Sequence, residues 1–110
     1  SWTALFDTRV RTPLGLTVTS FGAGANPRVP GGAVSTGLEY ARVLQMLLAD
    51  GRWDGRQVLP ASAVREMERD QTEGARILYS PHRAYGLIDP RYGIGVWRDR
   101  VAADGRALQV

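Results

Sequence analysis

The sequence offers few side chains that could together form a nucleophile, a general base or a metal site. His82 is its one histidine, and Ser80 and Asp89 lie near it in the chain. A serine triad would have to use this ring, yet the members of a triad normally converge from separate elements of a fold, so closeness in sequence says little. We therefore interpret His82 as a residue of a surface loop.

Two residue types are missing, and their absence limits the chemistry. All fourteen basic residues are arginine, and cysteine does not occur. Without lysine, these 110 residues cannot form a Schiff base, a phosphate-binding P-loop or a serine–lysine pair. Without cysteine there is no disulfide or thiolate chemistry, and one histidine cannot build a site of several imidazoles. We expect no metal and no cofactor.

Acidic and glycine-rich motifs elsewhere favour structure over catalysis. Glu66, Glu68 and Asp70 lie beside arginines on a predicted helix, where such acids are usually solvated. The Gly22–Gly24 segment resembles the start of a dinucleotide-binding fingerprint. However, the third glycine is absent, and Pro27 stands where the helix should begin. We interpret the segment as a loop.

The overall charge does not indicate a nucleic-acid partner. The net charge is +3 and the isoelectric point is near 9.9. The arginines are nevertheless scattered from Arg9 to Arg106 among eleven acids, without a basic run. No apolar run approaches the roughly 20 residues that span a bilayer, so we expect no membrane segment. The length fits one domain or part of one.

The first third of the sequence predicts a helix followed by a long loop. Pro13 disfavours helix at the residue before it, and Gly15 permits unusual backbone angles, so the first helix should end near these residues. Residues 22–33 contain four glycines and two prolines. That composition indicates irregular backbone at the surface or beside a cleft.

The clearest helix is predicted from Gly37 to Asp50. Thr36 and Glu39 have the spacing of a capping box, in which the hydroxyl accepts an amide of the first turn and the carboxylate reaches back to the cap amide. Gly51 follows as a left-handed C-cap. The apolar stripe that is predicted to face the core consists of Leu38, Ala41, Leu44, Leu47 and Leu48.

The second half predicts a hairpin turn, then another helix. A tight turn at Asp54-Gly55 is expected to tie a short hairpin between the first long helix and Val58-Leu59. Pro60 precedes a helix over about Ala61–Asp70, whose inner face carries Val64 and Met67.

The C-terminal segment predicts strands. Residues 92–97 alternate large side chains with glycine, which favours a strand whose glycine face lies against another backbone or a helix. Residues 103–105 form a hairpin turn, and residues 107–110 are the returning strand. An unpaired edge there leads us to expect further protein after it.

Several segments, in order, resemble a known family. Residues 13–21 are similar to a PLGM…T.F element, and residues 26–36 with 39–51 are similar to a Gly-Gly and Ser-Thr helix start. Further along, residues 58–67 are similar to an LLSP…V..M helix, and residues 92–96 are similar to a YGLGF strand. These elements resemble those of β-lactamase-related serine hydrolases. The resemblance covers nearly the whole sequence.

The resemblance implies a fold and a chemistry. The family includes class C-like β-lactamases, D-alanyl-D-alanine carboxypeptidases and esterases, and its penicillin-binding-protein-like fold sets helices beside an antiparallel sheet. We therefore expect an α+β chain with two or more helices followed by an antiparallel hairpin. In the family, the serine of a Ser-x-x-Lys motif attacks a carbonyl, helped by the lysine and by a Tyr-x-Asn tyrosine, and a Lys- or His-x-Gly strand completes the cleft.

The catalytic motifs cannot be carried over to this sequence. It has no lysine, and none of its tyrosines is followed two positions later by asparagine: Tyr40, Tyr79, Tyr85 and Tyr92. We interpret residues 1–110 as a partial domain that lies between the Tyr-x-Asn and Lys/His-x-Gly motifs of a parent hydrolase. By analogy, Gly31 and Gly32 border the substrate cleft, although plain turn glycines need no function.

The expected partners follow from the same resemblance. They are the remainder of the parent hydrolase and, for the complete protein, a small ester, amide or β-lactam. A secreted or periplasmic location in a bacterium is compatible with the family, and so is the cytoplasm. The alternative function is a non-catalytic binding or assembly domain that is complete in 110 residues.

Overall fold

A computed structural model of the chain describes residues 1–24, 27–79, 91–98, 100–101 and 107–109. The chain divides into two compact units, Ser1–Pro60 and Ala61–Val110. The described residues form three α-helices and two short antiparallel strand pairs, so the predicted α+β class is confirmed. Within these ranges, no helix is long and apolar enough to cross a membrane.

The N-terminal helix ends where the sequence predicts. α1 spans Trp2–Phe6, and a π-helical segment continues it over Asp7–Arg11. The helical backbone ends after Thr12, just before Pro13, and Gly15 then adopts a left-handed φ of 62°. A residue with a Cβ atom would be strained at that angle, so glycine allows the chain to turn there.

The second helix, α2, spans Gly37–Leu48 and begins at the predicted cap. The Thr36 hydroxyl accepts the Glu39 amide at 3.2 Å. The second half of the predicted capping box is wrong, because the Glu39 carboxylate turns towards residues 17–19. Several donors there compete with the single amide of the cap, and an ionised acceptor favours the larger set.

α2 ends two residues earlier than predicted, in a Schellman motif. The Asp50 amide donates to the Leu47 carbonyl at 3.0 Å, and the Gly51 amide donates to the Met46 carbonyl at 2.9 Å. Asp50, not the predicted Gly51, takes the first left-handed position, and Gly51 takes the next, with φ values of 52° and 82°. A Cβ atom on Gly51 would collide with the Leu59 carbonyl oxygen.

The apolar stripe predicted to face the core lies mostly outside it. Leu38 is 71% exposed, Leu48 is 85% exposed, and Leu44 is exposed too. The face that packs inward carries Glu39, Val43, Met46 and Leu47. The spacing of the leucines therefore located an apolar face, but it could not show which side of the helix this unit covers.

A two-residue turn joins the short strands β1, Arg52–Trp53, and β2, Arg56–Gln57. The strands pair antiparallel, with Arg52 opposite Gln57. Asp54 and Gly55 are both left-handed, at φ 47° and 73°. Because a type I′ turn needs this pair of angles, the hairpin predicted from the Asp-Gly sequence is confirmed.

The core of the first unit is small. Leu14, Leu16 and Met46 are buried in it, and half-buried side chains pack around them: Phe6, Val10, Val43, Leu47, Trp53, Val58 and Leu59. Val64 of the second unit is the other buried apolar side chain of the described residues.

The second unit contains α3, which spans Ala61–Glu68. Val64 is buried and Met67 is half-buried, as predicted for its inner face. Gly93 lies so close to the helix that a Cβ atom there would collide with the Met67 carbonyl oxygen, which also accepts the Ile94 amide at 2.8 Å. The predicted approach of a glycine to another backbone is confirmed.

Residues 92–97 do not form the predicted strand. Tyr92 and Trp97 make a single antiparallel bridge. Between them the Gly93 amide donates to the Val96 carbonyl at 2.8 Å, and Gly95 is left-handed. The strand prediction is wrong because the glycines allow the backbone to close a tight turn there.

The last described residues form an antiparallel pair. β3, Arg100–Val101, pairs with β4, Ala107–Gln109, with an irregularity in the register. The predicted returning strand is confirmed. The turn predicted at residues 103–105 lies outside the described residues.

Candidate functional site

One buried carboxylate accepts hydrogen bonds from three consecutive residues of a loop, residues 17–19. Glu39, in the first turn of α2, is 5% exposed. Its Oε1 accepts the Thr17 amide at 2.6 Å, the Thr17 hydroxyl at 2.9 Å and the Val18 amide at 3.0 Å. Its Oε2 accepts the Thr19 amide at 2.8 Å and the Thr19 hydroxyl at 2.5 Å. We call these four residues the Glu39 knot.

The knot resembles an anion site that is filled by the chain itself. Consecutive backbone amides that point at one centre form a concavity that binds anions. The Thr19 hydroxyl lowers the pKa of Glu39 most, burial opposes it, and the amides of residues 17–19 lower the pKa further, well below its ordinary 4.5. Glu39 is therefore ionised near neutral pH, and it is too weak a base to take a proton from a serine.

A short relay of hydroxyls leads from the knot towards the surface. Thr19 Oγ1 lies 2.7 Å from Ser35 Oγ. Because ionised Glu39 can only accept, Thr19 donates its one proton to Glu39. The single proton of Ser35 then has two acceptors in reach, the Thr19 oxygen at 2.7 Å and the Thr36 carbonyl at 3.2 Å. Neither bond activates the exposed Ser35, since the carboxylate at the end of the relay has a low pKa.

Two arginines hold the carbonyl side of the same loop. Arg11 donates to the Leu16 carbonyl at 3.2 Å and to the Thr17 carbonyl at 3.1 Å. Arg42 donates to the Gly15 carbonyl at 2.7 Å. Glu39 therefore accepts hydrogen bonds from the amides of this loop, and Arg11 and Arg42 donate to its carbonyls. Both kinds of backbone group thus have charged partners.

The two glycines predicted at the cleft border lie in a turn that one β-bridge joins to this loop. Ser20 and Val34 exchange both backbone hydrogen bonds, at 2.9 and 2.8 Å. Gly31 is exposed with a left-handed φ of 77°. At Gly32 a Cβ atom would collide with the Arg28 carbonyl oxygen. The backbone therefore favours glycine at both positions, and their place at a substrate cleft stays a prediction.

A small cleft of about 50 Å³ opens next to Ser20. Aromatic rings line part of it, because Phe21 meets Phe6 edge-on at 5.0 Å and Trp2 at 5.5 Å between ring centroids. The remaining lining residues are Thr3, Asp7, Arg11, Thr19, Ser20 and Gly22. This volume suits a water molecule or two and is too small for a substrate, and neither predicted cleft glycine lines it.

The second unit has a polar cluster of its own, formed by Asp70, Thr72 and Arg91. Asp70 accepts the Thr72 amide at 2.8 Å, the Thr72 hydroxyl at 2.5 Å and the Arg91 guanidinium at 3.1 Å. Burial raises the pKa of Asp70, but its bonds to Thr72 and the charges of Arg91 and Arg98 outweigh burial. The pKa therefore lies below its ordinary value of 3.8. We call these three residues the Asp70 cluster.

The other predicted chemistry stays modest. Glu66 pairs with Arg69 at 2.8 Å on the surface, and its bonds to Arg69 and Gln71 lower its pKa to about 2. Across the described ranges, no group of acids or histidine could hold a metal ion. The interpretation of residues 80, 82 and 89 as loop residues stays a prediction, because they lie outside those ranges.

Sequence reasoning assigns Glu39 to a capping box and misses the knot. One available signal was the pair Thr17 and Thr19, which are hydroxyl residues two positions apart directly after the core residue Leu16. Another was a lone acid on a helix that is otherwise mostly apolar. Neither signal says which of the eleven acids meets the threonines, because the contact spans about 20 residues.

The described helices and strand pairs form an α+β scaffold. The chain is similar to the crystal structure of a putative β-lactamase from Bacteroides dorei DSM 17855, with a TM-score of 0.79 and 31% sequence identity. The match covers 94% of this chain and 34% of that protein, so the chain spans about a third of its length. No protein-family model and no curated protein matches the chain significantly. The resemblance predicted from the motifs is confirmed at the level of the fold.

Proposed function

We propose that the chain is part of a serine hydrolase of β-lactamase type, which cleaves an ester, an amide or a β-lactam through an acyl-enzyme. The observation that carries the proposal is the likeness to the Bacteroides dorei protein over 94% of the chain. The ordered motifs, from residues 13–21 to residues 92–96, support the same class.

The proposed reaction needs groups that this chain does not carry. A serine hydroxyl becomes a nucleophile only beside a base, and in this class a lysine is expected, whereas the chain has none. Glu39 cannot replace that lysine, because the Thr19 hydroxyl and the amides of residues 17–19 hold its pKa low. In our proposal the nucleophile, the base and the oxyanion site come from the rest of a longer hydrolase, of which this chain is a partial domain.

The proposed contribution of this chain is one wall of the cleft. The Glu39 knot fixes the loop, and the bridge from Ser20 to Val34 links that fixed loop to the turn with Gly31 and Gly32. Because glycines have no side chains, a substrate can approach the backbone of this turn closely. The fixed loop holds the turn in position. We therefore assign Gly31 and Gly32 to the cleft border.

A chimera tests the proposal. This chain replaces the matching third of the Bacteroides dorei protein, and hydrolysis of nitrocefin and of a p-nitrophenyl ester is measured for the host, the chimera and the isolated chain. We expect the chimera to turn over whichever substrate the host cleaves, and the isolated chain to turn over neither. The matched control is the host without its matching segment, which should be inactive.

Two outcomes would contradict the proposal. Turnover by the isolated chain that is lost on substitution of Ser80 or His82 would place a complete site within these residues. If the chimera folds but is inactive while the intact host protein is active, this chain would share the fold of the host without its function. The coding sequence gives an independent check, since Ser-x-x-Lys and Tyr-x-Asn should precede residue 1 and a Lys- or His-x-Gly triplet should follow residue 110.

A further inference from the structure

α2 is apolar on its exposed side as well as on the side that packs Met46 into the core. Its two charged residues face inward, because Glu39 is in the knot and Arg42 donates to the Gly15 carbonyl. Its opposite side has no charge and carries exposed apolar side chains: Leu38, Tyr40, Leu44 and Leu48. A helix on the surface of a soluble protein normally shows the reverse arrangement.

We infer that this outer face of α2, defined by Leu38, Tyr40, Leu44 and Leu48, packs against an apolar layer of the same longer polypeptide, an inference that rests on the proposed function. At 100° per residue the four side chains share one half of the helix surface. Leu38 and Leu48 are 71% and 85% exposed. A contiguous apolar patch of this kind marks an interaction surface.

The comparison with the solved structure favours the rest of a longer polypeptide as the occupant. About two thirds of the Bacteroides dorei protein lies outside the match, so a fold of this kind has enough additional chain to cover the helix. The small core of this unit agrees, since further apolar burial has to come from elsewhere. Because the outer face has no charge, the layer that covers it should be uncharged as well.

A second copy of the chain suits the face less well. A stable dimer buries about 800 Å² on each partner, and one side of a three-turn helix offers less than that. Two separate chains would also lose translational and rotational freedom, whereas segments of one polypeptide have already lost it. The face is therefore better suited to packing within a chain than between chains.

Thiol protection tests the inference. The sequence has no cysteine, so Leu48→Cys introduces one reporter on the outer face, and Arg56→Cys on the exposed hairpin is the matched control. Each is made in the isolated chain and in the chimera, on a host background without cysteine, and the reaction with a thiol reagent is timed. We expect Leu48→Cys to react at least about tenfold more slowly in the chimera than in the isolated chain, with Arg56→Cys unchanged.

The outcomes separate this inference from the hydrolase proposal. Equal rates for Leu48→Cys in both settings would overturn the inference even if the chimera is active. Protection of Leu48→Cys in an inactive chimera would support the packing of the outer face of α2 and contradict only the hydrolase proposal. Protection already in the isolated chain, with a dimeric mass by sedimentation, would show that a second copy covers the face, and it would overturn the inference.

A second variant keeps the test independent of the chimera. Leu38→Gln with Leu48→Gln in the isolated chain exchanges apolar for polar side chains of similar helix propensity. We expect its urea midpoint to stay unchanged and its binding of a hydrophobic dye to fall about twofold, because these leucines contribute nothing to the folding of this unit. Met46→Gln, in the core, is the control that should unfold. A loss of stability in the double variant comparable to that control would overturn the inference.

Discussion

Two carboxylates tie distant parts of this chain together, and they do so with opposite chemistry. Glu39 reaches a loop about 20 residues earlier and binds neutral donors, namely three amides and two hydroxyls. Asp70 binds the Arg91 cation, 21 positions later, together with its neighbour Thr72. Glu39 is 5% exposed, whereas 26% of the Asp70 side chain is exposed.

The two carboxylates have different roles, since Glu39 binds the backbone amides of a loop and Asp70 pairs with the charge of Arg91. The bond from the Thr19 amide to Glu39 is buried and those from residues 17 and 18 are partly buried, so loss of the acceptor leaves donors unsatisfied next to the core. The side chain of Arg91 is 39% exposed, so water can solvate its charge without a change in the fold. The same chemical change, from carboxylate to carboxamide, should therefore have unequal effects at the two positions.

The largest effect is expected for Glu39→Gln. A carboxamide keeps one acceptor oxygen, but its NH2 group points at residues 17–19, whose own groups are donors. We expect the thermal midpoint of the chain to fall by roughly 10 °C or more. Hydrogen exchange should show that the amides of residues 17–19 lose their protection. Unchanged protection of these amides would mean that the loop does not depend on the carboxylate.

The acid side of the pH profile should depend on the same residue. The pKa of Glu39 is lower in the folded chain than its ordinary 4.5. The stabilisation is therefore complete above pH 4.5 and declines as the pH falls towards the folded pKa. Thermal midpoints recorded from neutral to acid pH should show this decline in the wild type and a weaker one in Glu39→Gln. Parallel profiles would contradict the prediction.

An intermediate effect is expected for Thr19→Val. The change keeps the shape of the side chain, but it removes the hydroxyl that donates to Glu39 and accepts from Ser35. We expect a loss of about 1–2 kcal/mol in the free energy of unfolding, because the three amide bonds of the knot remain. Thr17→Val is the matched control at an exposed residue, and urea unfolding should show a smaller loss for it.

A smaller effect is expected for Asp70→Asn. Asparagine keeps Oδ1 for the Thr72 amide and hydroxyl, but it loses the charge and the Oδ2 acceptor that face Arg91, whose partly exposed side chain can bind water instead. We expect a loss below about 1 kcal/mol, measured by urea unfolding at low salt. Salt should remove most of that difference but not the effect of Glu39→Gln. A large loss at Asp70 that does not depend on salt would show that the two carboxylates act alike.

Local signals allowed the sequence to predict much of the fold. The Thr36 cap, the Asp-Gly hairpin and the end of the first helix near Pro13 each depend on neighbouring residues, and the structure confirms all three. The strand predicted over residues 92–97 is wrong, because alternating glycines fit a tight turn as well as a strand.

Long-range pairing explains what the sequence could not predict. The role of Glu39 depends on a loop about 20 residues away, and no local pattern encodes that contact. The apolar stripe of α2 shows the same limit, since spacing reveals an apolar face but not what covers it. For the candidate site, Gly31 and Gly32 were found by resemblance, and the structure adds a backbone reason for glycine at both.

The smallest effect is expected for Glu66→Gln, and it separates a shifted pKa from a contribution to stability. Arg69 and Gln71 lower the pKa of Glu66 to about 2, in the same direction as the shift at Glu39. The pair with Arg69 is half exposed at the end of α3, so solvent screens it. A glutamine oxygen keeps the acceptor for Arg69 Nη2 and Gln71, and the bond lost from Arg69 Nε can be replaced by water. We expect no measurable change in the thermal midpoint at neutral pH. A fall as large as that of Asp70→Asn would mean that the charge itself stabilises this chain, and the contrast between the Glu39 knot and the Asp70 cluster would then lose its basis.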